Sequence, residues 1–220
     1  MKNNNRFDYI VFDVDGTLLD TTDGILSAVE YTIKKKKLPP LSEEQLLTFI
    51  GPPIYASFQK VYGQLEKDKI DEVVNIFRER YKKVDLLKAR PYADIYQTCQ
   101  RLIQKGIIIG VATYKRQDYA EEILKYFHFD QYSRYLFGSD SCNCLKKSDI
   151  IRNCIVSMKV KDDSKVLMIG DSINDSKGAM EAGISFLGVT YGFGFKNREE
   201  ILEAGAIGCA CTPLEILDFV

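Results

Sequence analysis

The chain has 220 residues, of which 45% are hydrophobic and 28% are charged. This composition suits one large domain, or one domain with an insertion, and is too hydrophobic for a disordered chain. The formal net charge is -1, so the chain lacks the broad positive field of a nucleic-acid-binding protein. Its apolar runs are too short to span a bilayer and no secretory signal is visible, so we expect a cytoplasmic protein with no membrane or nucleic-acid partner.

Short apolar runs rich in β-branched residues recur along the chain and predict strands that are buried on both faces, as in parallel sheets. These runs are residues 9–12, 107–112, 166–169 and 185–189. Helical patterns alternate with them, as in the face shared by Ile95, Cys99 and Leu102. The alternation predicts an α/β fold class with a doubly wound, mainly parallel, Rossmann-like sheet.

The segment 21–90 breaks this alternation, because it carries helical periodicity and no convincing strand. Ser42 followed by Gln45 three residues later is the pattern of a capping box, which starts a helix. Apolar stripes at helical spacing accompany it, at positions 25, 26, 29 and 33, at 46, 47 and 50, and at 73, 74, 77 and 81. We therefore predict an all-helical cap domain over 21–90, inserted into an α/β catalytic core formed by 1–20 and 91–220.

Six cysteines occur, at positions 99, 142, 144, 154, 209 and 211. In a chain of this size with no visible export signal we expect them to be reduced thiols. The one-residue gaps at 142–144 and 209–211 differ from the two-residue gap of zinc knuckles, and His128 adds no cluster of metal ligands.

Polar side chains follow the ends of the predicted strands. The first strand leads into Asp13, Asp15, Gly16 and Thr17, the second into Thr113 and Tyr114, and the third into Asp171 and Asp175, while Lys147 lies near the start of a predicted helix. Because ligands bind outside the carboxyl ends of strands in open α/β sheets, these side chains should converge on one edge of the sheet. Each motif alone also fits an ordinary turn or helix cap, and their conjunction in chain order favours a functional site.

The chemistry of this residue set indicates a magnesium site that handles phosphate. Packed carboxylates repel one another unless a cation lies among them, and a few hard oxygen ligands suit Mg²⁺ better than zinc. Mg²⁺ held in this way shares a phosphate with its substrate, to which a threonine hydroxyl and a lysine ammonium can donate. One aspartate of the first motif can then attack phosphorus while the other shuttles the proton.

Taken together, these motifs resemble the haloacid dehalogenase superfamily, and in particular its phosphoglycolate-phosphatase-like branch, whose helical cap follows the first motif. The stretch from Asp13 to Asp20 resembles the first motif and Thr113 the second. Lys147 resembles the third motif, with Lys146 as the adjacent alternative, and Gly170-Asp171 through Asp175 resembles the fourth. Tyr191-Gly192-Phe193-Gly194 is similar to the C-terminal signature of the branch, so the resemblance covers nearly the whole chain.

The resemblance implies a role for each site residue. Asp13 would be the nucleophile and a Mg²⁺ ligand, Asp15 the general acid/base that also offers its backbone carbonyl to the metal, and Asp171 the other metal ligand. Asp175 would support the metal shell through water. The phosphate-binding residues would be Asp13, Gly16, Thr17, Thr113, Tyr114 and Lys147. The strand before Asp13 would be central in the sheet, between the strands that end at Thr113 and Asp171.

Individual residues discriminate among the activities of the superfamily. Dehalogenases lack the second aspartate of the first motif, whereas Asp15 is present and favours phosphoryl transfer. If Gly51 is the cap-loop glycine, Ile54 stands where phosphonatases have a lysine and β-phosphoglucomutases an arginine. The prediction is therefore a Mg²⁺-dependent phosphatase that hydrolyses a small phosphomonoester, such as phosphoglycolate, through an aspartyl-phosphate.

Other activities and the contacts of the cap stay open at this point. The alternatives are a phosphosugar mutase, a nucleotidase or pyrophosphatase of the same superfamily, a receiver-like module that carries a phosphorylated aspartate, and a catalytically silent interaction protein. Candidate cap contacts to the substrate are Gly51, Tyr55, Arg78 and Arg80. The expected partner is a small phosphorylated metabolite, and the expected assembly is a monomer or a dimer.

Overall fold

The computed structural model describes residues 5–141 and 144–220. Its strands are β1 (Tyr9–Phe12), β2 (Leu19–Asp20), β3 (Arg90–Pro91), β4 (Ile108–Arg116), β5 (Tyr135–Ser139), β6 (Val166–Gly170), β7 (Ser185–Val189) and β8 (Cys209–Ala210). Its α-helices are α1 (Thr22–Lys36), α2 (Glu43–Leu47), α3 (Ile54–Val61), α4 (Lys67–Arg80), α5 (Ile95–Gln104), α6 (Gln117–Tyr126), α7 (Lys147–Ser157), α8 (Ile173–Glu181) and α9 (Arg198–Glu203). A π-helical turn (Tyr81–Asp85) directly follows α4. Among the described residues, no helix combines the length and the apolar character needed to span a membrane.

Six strands form one parallel sheet in the order β5-β4-β1-β6-β7-β8. β1 is central, and it pairs with β4 on one side and with β6 on the other. The parallel α/β fold and the position of the first strand are therefore as predicted. All strands of such a sheet run the same way, so the residues after β1 and β6 meet at one edge with those near the end of β4.

The residues of β1 alternate between two hydrophobic clusters, one on each face of the sheet. Ile10 and Phe12 belong to the cluster that continues into the cap, where it includes Phe58 and Phe77. Val11 lies in the other cluster, together with side chains of α7 and α8. Because successive side chains of a strand point to opposite faces, a strand covered on both faces is apolar throughout, as the sequence of β1 is.

The helical segment after β2 matches the predicted cap in its main features. Ser42 and Gln45 form the capping box at the start of α2, and the stripe at 73, 74, 77 and 81 is buried. Leu47 differs, because it is 44% exposed at the end of the short helix α2. The exact domain boundaries at 20/21 and 90/91 stay a prediction.

Five of the described strands differ from the sequence-based expectation, because the apolar runs predict none of β2, β3, β5 and β8 and end β4 too early. Arg90 was expected in a segment without strands, but it belongs to β3, which pairs with β2 in a two-stranded antiparallel ribbon. β4 continues to Arg116, so Thr113 and Tyr114 lie within the strand and not after it, with a register shift against β5 beyond Ala112. β5 itself was not predicted. It lies at the edge of the sheet and is only partly buried, so its sequence lacks a continuous apolar run.

Candidate active site

Three buried aspartates cluster where β1 and β6 end. Carboxylate oxygens of Asp13, Asp171 and Asp175 all lie within 4.8 Å of one another. Asp13 directly follows β1, and its backbone N–H donates to the carbonyl of Ile169 in β6 at 3.0 Å. Asp171 directly follows β6, and Asp175 lies in the first turn of α8. The expected convergence of these side chains is observed.

Lys147 is the cation of this cluster. Its Nζ lies 2.7 Å from Asp13 Oδ1 and 2.6 Å from Asp175 Oδ1, and its side chain is only 4% exposed. The other oxygen of Asp175 accepts hydrogen bonds from the backbone N–H and the hydroxyl of Ser172, which caps α8. Lys146 is exposed, so Lys147 is the lysine that reaches the acids. Asp13 Oδ2 has no hydrogen-bond partner within the described part of the chain.

Asp171 is held by the C-terminal signature of the sequence. Its Oδ2 accepts hydrogen bonds from the backbone N–H groups of Phe193 and Gly194 at 2.7 and 3.0 Å. The Tyr191 hydroxyl donates to the Thr17 carbonyl at 3.3 Å and so connects this loop to the first motif. The signature therefore orients one carboxylate of the cluster.

Burial and mutual repulsion perturb the ionisation of the cluster. Desolvation raises the pKa of Asp13 to about 7, with Asp175 and Asp15 adding to the rise and Lys147 opposing it. Desolvation, followed by repulsion from Asp175 and Asp13, raises the pKa of Asp171 to about 8. Burial disfavours the charged form of Lys147, but Asp13 and Asp175 outweigh this effect and raise its pKa.

The donor set of the cluster fits a divalent metal ion. Three carboxylates face one ammonium group, which leaves two negative charges for a divalent cation to balance. All three ligand groups are hard oxygens, and the repulsion among them, which adds to the effect of burial on the pKa values of Asp13 and Asp171, is what a bound cation would relieve. Asp13 and Asp171 are the residues that could bind the ion directly, since both oxygens of Asp175 are already engaged.

Asp15 is separate from the carboxylate cluster and has its own partners. Its Oδ1 accepts a hydrogen bond from the Thr21 hydroxyl at 2.7 Å and lies 3.0 Å from Lys115 Nζ. Lys115 also donates to the Tyr81 hydroxyl at 2.9 Å, and both residues are buried. The sequence motifs assign no catalytic role to Lys115 or Tyr81. The signal for Lys115 is its spacing of two residues from Thr113, which places both side chains on one face of β4.

The predicted phosphate-binding residues other than the acids lie around the first and second motifs. Thr113 is buried, and its hydroxyl oxygen accepts a hydrogen bond from the Lys115 backbone N–H at 3.2 Å. The Tyr114 hydroxyl accepts one from the Lys147 backbone N–H at 3.0 Å, so its side chain packs at the start of α7. Thr17 Oγ1 is buried and has no hydrogen-bond partner among the described residues. Gly16 completes the turn after Asp15 with a φ of +83°.

A cavity of about 60 Å³ lies between the cap and the sheet, and Asp15 is part of its wall. Of the predicted cap contacts, Gly51 and Arg78 line it, as does Ile54. Tyr55 is not among its lining residues. Arg80 lies elsewhere because its Nε pairs with Asp85 at 2.7 Å and its guanidinium group lies 4.7 Å from the centre of the Tyr31 ring.

The remaining walls of this cavity combine cations with aromatic and aliphatic side chains. The cations are Arg78, Lys115 and Arg116, and Asp15 is the carboxylate among the lining residues. The apolar and aromatic lining residues are Ile25, Phe49, Pro52, Pro53, Ile54, Phe77, Tyr81, Tyr114 and Tyr119. Polar groups that converge in a largely apolar wall are typical of small-molecule sites.

The chain is similar to known proteins both in sequence and in fold. The family profile described as haloacid dehalogenase-like hydrolase matches residues 10–189. The chain is 33% identical to a 5'-nucleotidase of Pseudomonas aeruginosa over 88% of its own length and 87% of that protein. It is 28% identical to a phosphoglycolate phosphatase of Agrobacterium fabrum, over 83% and 80% of the two chains. A solved haloacid dehalogenase-like hydrolase of Streptococcus pneumoniae superposes with a TM-score of 0.89 at 29% identity, covering 100% of this chain and 99% of that one.

The fold, the site and the family profile together show that the chain belongs to the haloacid dehalogenase-like hydrolases. Within that superfamily it is a phosphatase, a phosphoric monoester hydrolase of the branch that resembles phosphoglycolate phosphatases.

Proposed function

We propose that the protein is a Mg²⁺-dependent phosphatase that hydrolyses a small phosphomonoester through an aspartyl-phosphate on Asp13. The observation that carries the proposal is the difference between the surroundings of the two carboxylate oxygens of Asp13. Lys147 holds Oδ1 at 2.7 Å, Oδ2 has no hydrogen-bond partner among the described residues, and two further carboxylates stand within metal-binding reach. One oxygen is thus oriented and the other is available to attack phosphorus.

The reaction divides between the two aspartates of the first motif. Oδ2 of Asp13 attacks the phosphorus atom while Asp15 donates a proton to the ester oxygen, so that the leaving group departs as an alcohol. Asp15, now a carboxylate, accepts a proton from the water that attacks the aspartyl-phosphate, and Asp13 and inorganic phosphate are released. Lys147 and Thr113 donate to the phosphoryl oxygens. When bound by Asp13 and Asp171, with the Asp15 carbonyl and with Asp175 acting through water, Mg²⁺ supplies positive charge to the phosphoryl group.

Gly16, Thr17 and Tyr114 complete the proposed phosphate site. Gly16 lets the backbone turn closely around the phosphoryl group. The Thr17 hydroxyl has no hydrogen-bond partner among the described residues, so it can donate to a phosphoryl oxygen. Tyr114 contributes through its backbone, since its hydroxyl is already bound to α7.

A phosphoglycolate-like substrate is supported by the cations that line the cavity beside Asp15. Of the three cations that line this cavity, Lys115 pairs with Asp15 and Arg116 pairs with Asp118. The third is the guanidinium group of Arg78, which suits a leaving group that carries a carboxylate. Arg78→Met should then raise the KM for phosphoglycolate more than the KM for p-nitrophenyl phosphate, which lacks that carboxylate. Equal changes in both KM values contradict this substrate class.

A nucleoside monophosphate is the second candidate, because of the walls of the same cavity. Five aromatic rings line it, among them Phe49 and Phe77, against which a base can pack. The similarity to a 5'-nucleotidase points the same way. A panel of phosphoglycolate, nucleoside monophosphates, pyrophosphate and sugar phosphates decides between the candidates through their kcat/KM values.

The decisive experiment for the phosphatase proposal is Asp13→Asn. The variant keeps the size of the side chain but lacks the nucleophilic carboxylate, so turnover of p-nitrophenyl phosphate should vanish while the circular dichroism spectrum stays that of the wild type. Glu199→Gln, which neutralises an exposed acid of α9, is the matched control and should keep full activity. Turnover at the wild-type rate in Asp13→Asn overturns the assignment.

The proposal includes a cytoplasmic location, where thiols stay reduced, and a monomer or dimer as the active form.

A further inference from the structure

Lys115 connects the cap to the acid/base aspartate across the cavity. It projects from β4 of the core, and its Nζ lies 3.0 Å from Asp15 Oδ1 and 2.9 Å from the Tyr81 hydroxyl. Tyr81 comes from the other side of the interface, where the π-helical turn follows α4. The side chains of Lys115 and Asp15 are only 5% and 6% exposed, so this contact is sheltered from solvent.

The partners of Asp15 leave its two oxygens in different situations. Oδ1 interacts with both Thr21 and Lys115, whereas Oδ2 has no hydrogen-bond partner among the described residues. Since Asp15 lines the cavity, the anchored Oδ1 leaves Oδ2 as the oxygen that can exchange a proton with a leaving group or a water.

We propose that Lys115 and Tyr81 are positioning residues for the acid/base step: they hold the Asp15 carboxylate in its productive orientation only while the cap is seated on the core. The inference rests on the proposed phosphatase function. In the step concerned, Oδ2 of Asp15 gives its proton to the ester oxygen as the P–O bond breaks and the Asp13–P bond forms, and Lys115 and Tyr81 do not themselves exchange protons.

The surroundings of Tyr81 make the contact depend on cap seating. Its ring stacks on Phe77 of the cap at a centroid distance of 5.4 Å and meets the edge of Tyr119 of the core at 5.8 Å. If the cap moves away from the core, Lys115 loses its hydrogen bond to the Tyr81 hydroxyl and becomes accessible to water. Water can then solvate the ammonium group in place of Asp15. Seating of the cap therefore excludes water and restores the Tyr81 contact, which fixes the Lys115 ammonium group as a hydrogen-bond donor to Asp15 Oδ1 and leaves Oδ2 to carry the proton.

A positioning role for Lys115 and Tyr81 predicts a kinetic effect that a purely structural role would not produce. General-acid assistance matters for poor leaving groups and hardly at all for good ones, because a stable leaving anion needs no proton. A residue that acts through Asp15 must therefore affect kcat/KM for phenyl phosphate much more than kcat/KM for 2,4-dinitrophenyl phosphate. A residue that only stabilises the interface lowers both values alike.

The experiment compares Lys115→Met and Tyr81→Phe with the wild type on these two aryl phosphates, in the full-length protein with Mg²⁺. We expect Lys115→Met to lower kcat/KM for phenyl phosphate by about a hundredfold, within the range of general-acid contributions, with little change for 2,4-dinitrophenyl phosphate. Tyr81→Phe keeps the ring and its stacking and removes only the hydroxyl, so it should show the same selectivity with a smaller loss. It also tests the inference if Lys115→Met fails to fold.

The matched control is Lys82→Met, which removes another contact across the same interface. Lys82 Nζ lies 3.1 Å from Asp118 Oδ2 in an exposed ion pair away from Asp15. This variant should leave the ratio of the two kcat/KM values unchanged. Equal losses for both substrates in Tyr81→Phe and Lys115→Met, or wild-type values in both variants, overturn the positioning role. If instead the wild type turns over neither substrate, or if Asp13→Asn is fully active, the phosphatase proposal itself fails.

Discussion

The carboxylate of Asp171 lies directly against the backbone of Gly16, so that a Cβ at position 16 would collide with all three atoms of the carboxylate group. Gly16 also adopts a φ of +83°, in the left-handed region that side chains disfavour. The turn of the first motif and the metal-binding carboxylate of the fourth motif are therefore packed together without space for a methyl group.

Gly16→Ala should impair both stability and turnover. The positive φ alone costs about 1–2 kcal/mol, and the collision displaces the Asp171 carboxylate from the cluster. Gly205→Ala is the matched control, because Gly205 has a φ of +85° with no atom near the added Cβ. It should lose stability by a similar backbone cost and keep its activity. Thermal unfolding and p-nitrophenyl phosphate assays of both variants provide the test, and equal activities in the two would show that the collision is harmless.

Lys147→Met should destabilise the protein, because it leaves buried carboxylates without their cation. Removal of one partner from a buried ion pair costs about 3–5 kcal/mol. Here the ammonium group serves both Asp13 and Asp175. Lys146→Met, at the neighbouring exposed position, should leave the free energy of unfolding within about 0.5 kcal/mol of the wild type. Urea unfolding distinguishes the two variants, and a reversed order would assign the buried position to Lys146.

Removal of metal with EDTA should abolish turnover, and Mg²⁺ should restore it. Binding also stabilises the fold: at a hundredfold excess over the dissociation constant, Mg²⁺ should raise the free energy of unfolding by about 2.7 kcal/mol. This stabilisation should appear as a higher Tm when Mg²⁺ is added. Asp171→Asn should lose the Mg²⁺-dependent increase in Tm, whereas Glu199→Gln should retain it, since Glu199 is exposed and outside the cluster. A Tm that does not respond to Mg²⁺ in the wild type would contradict a metal site between Asp13 and Asp171.

The metal-free protein should lose stability as the pH rises. An aspartate whose pKa is raised on folding binds its proton more tightly in the folded state than in the unfolded one. The contribution of Asp13 and Asp171 is therefore complete below the ordinary value of 3.8 and is lost as the pH rises through about 7 and about 8. Urea unfolding in EDTA across this range measures the effect. Added Mg²⁺ should flatten the dependence, because it stabilises the charged carboxylates, and a stability that rises with pH in EDTA would contradict the raised pKa values.

The sheet and the acid cluster could be predicted from sequence because both depend on local patterns. The runs before Asp13 and Asp171 are apolar throughout, as strands covered on both faces must be. Once two parallel strands are recognised, geometry brings their carboxyl ends together whatever lies between them in the chain. This is why Asp13 and Asp171, which follow two different strands, could be placed in one site.

The cap side of the site was not predictable in the same way. Lys115 and Tyr81 meet across an interface that no periodic pattern encodes, and Lys115 looks like an exposed loop residue if the strand is taken to end at Ala112. Arg80 resembles Arg78 on a helix surface, yet Asp85 binds it because the π-helical turn brings that acid back toward α4. Such pairings depend on tertiary contacts, which single residue types do not reveal.

With the predicted cap boundaries at 20/21 and 90/91, the chain enters and leaves the cap through the ribbon of β2 and β3, in which Leu19 lies beside Pro91 and Asp20 beside Arg90. Thr21 directly follows β2 and so lies next to this ribbon, whereas Tyr81 belongs to the π-helical turn and reaches Asp15 only through Lys115. A rotation of the cap about the ribbon would therefore leave the threonine beside Asp15 and would separate Tyr81 from Lys115.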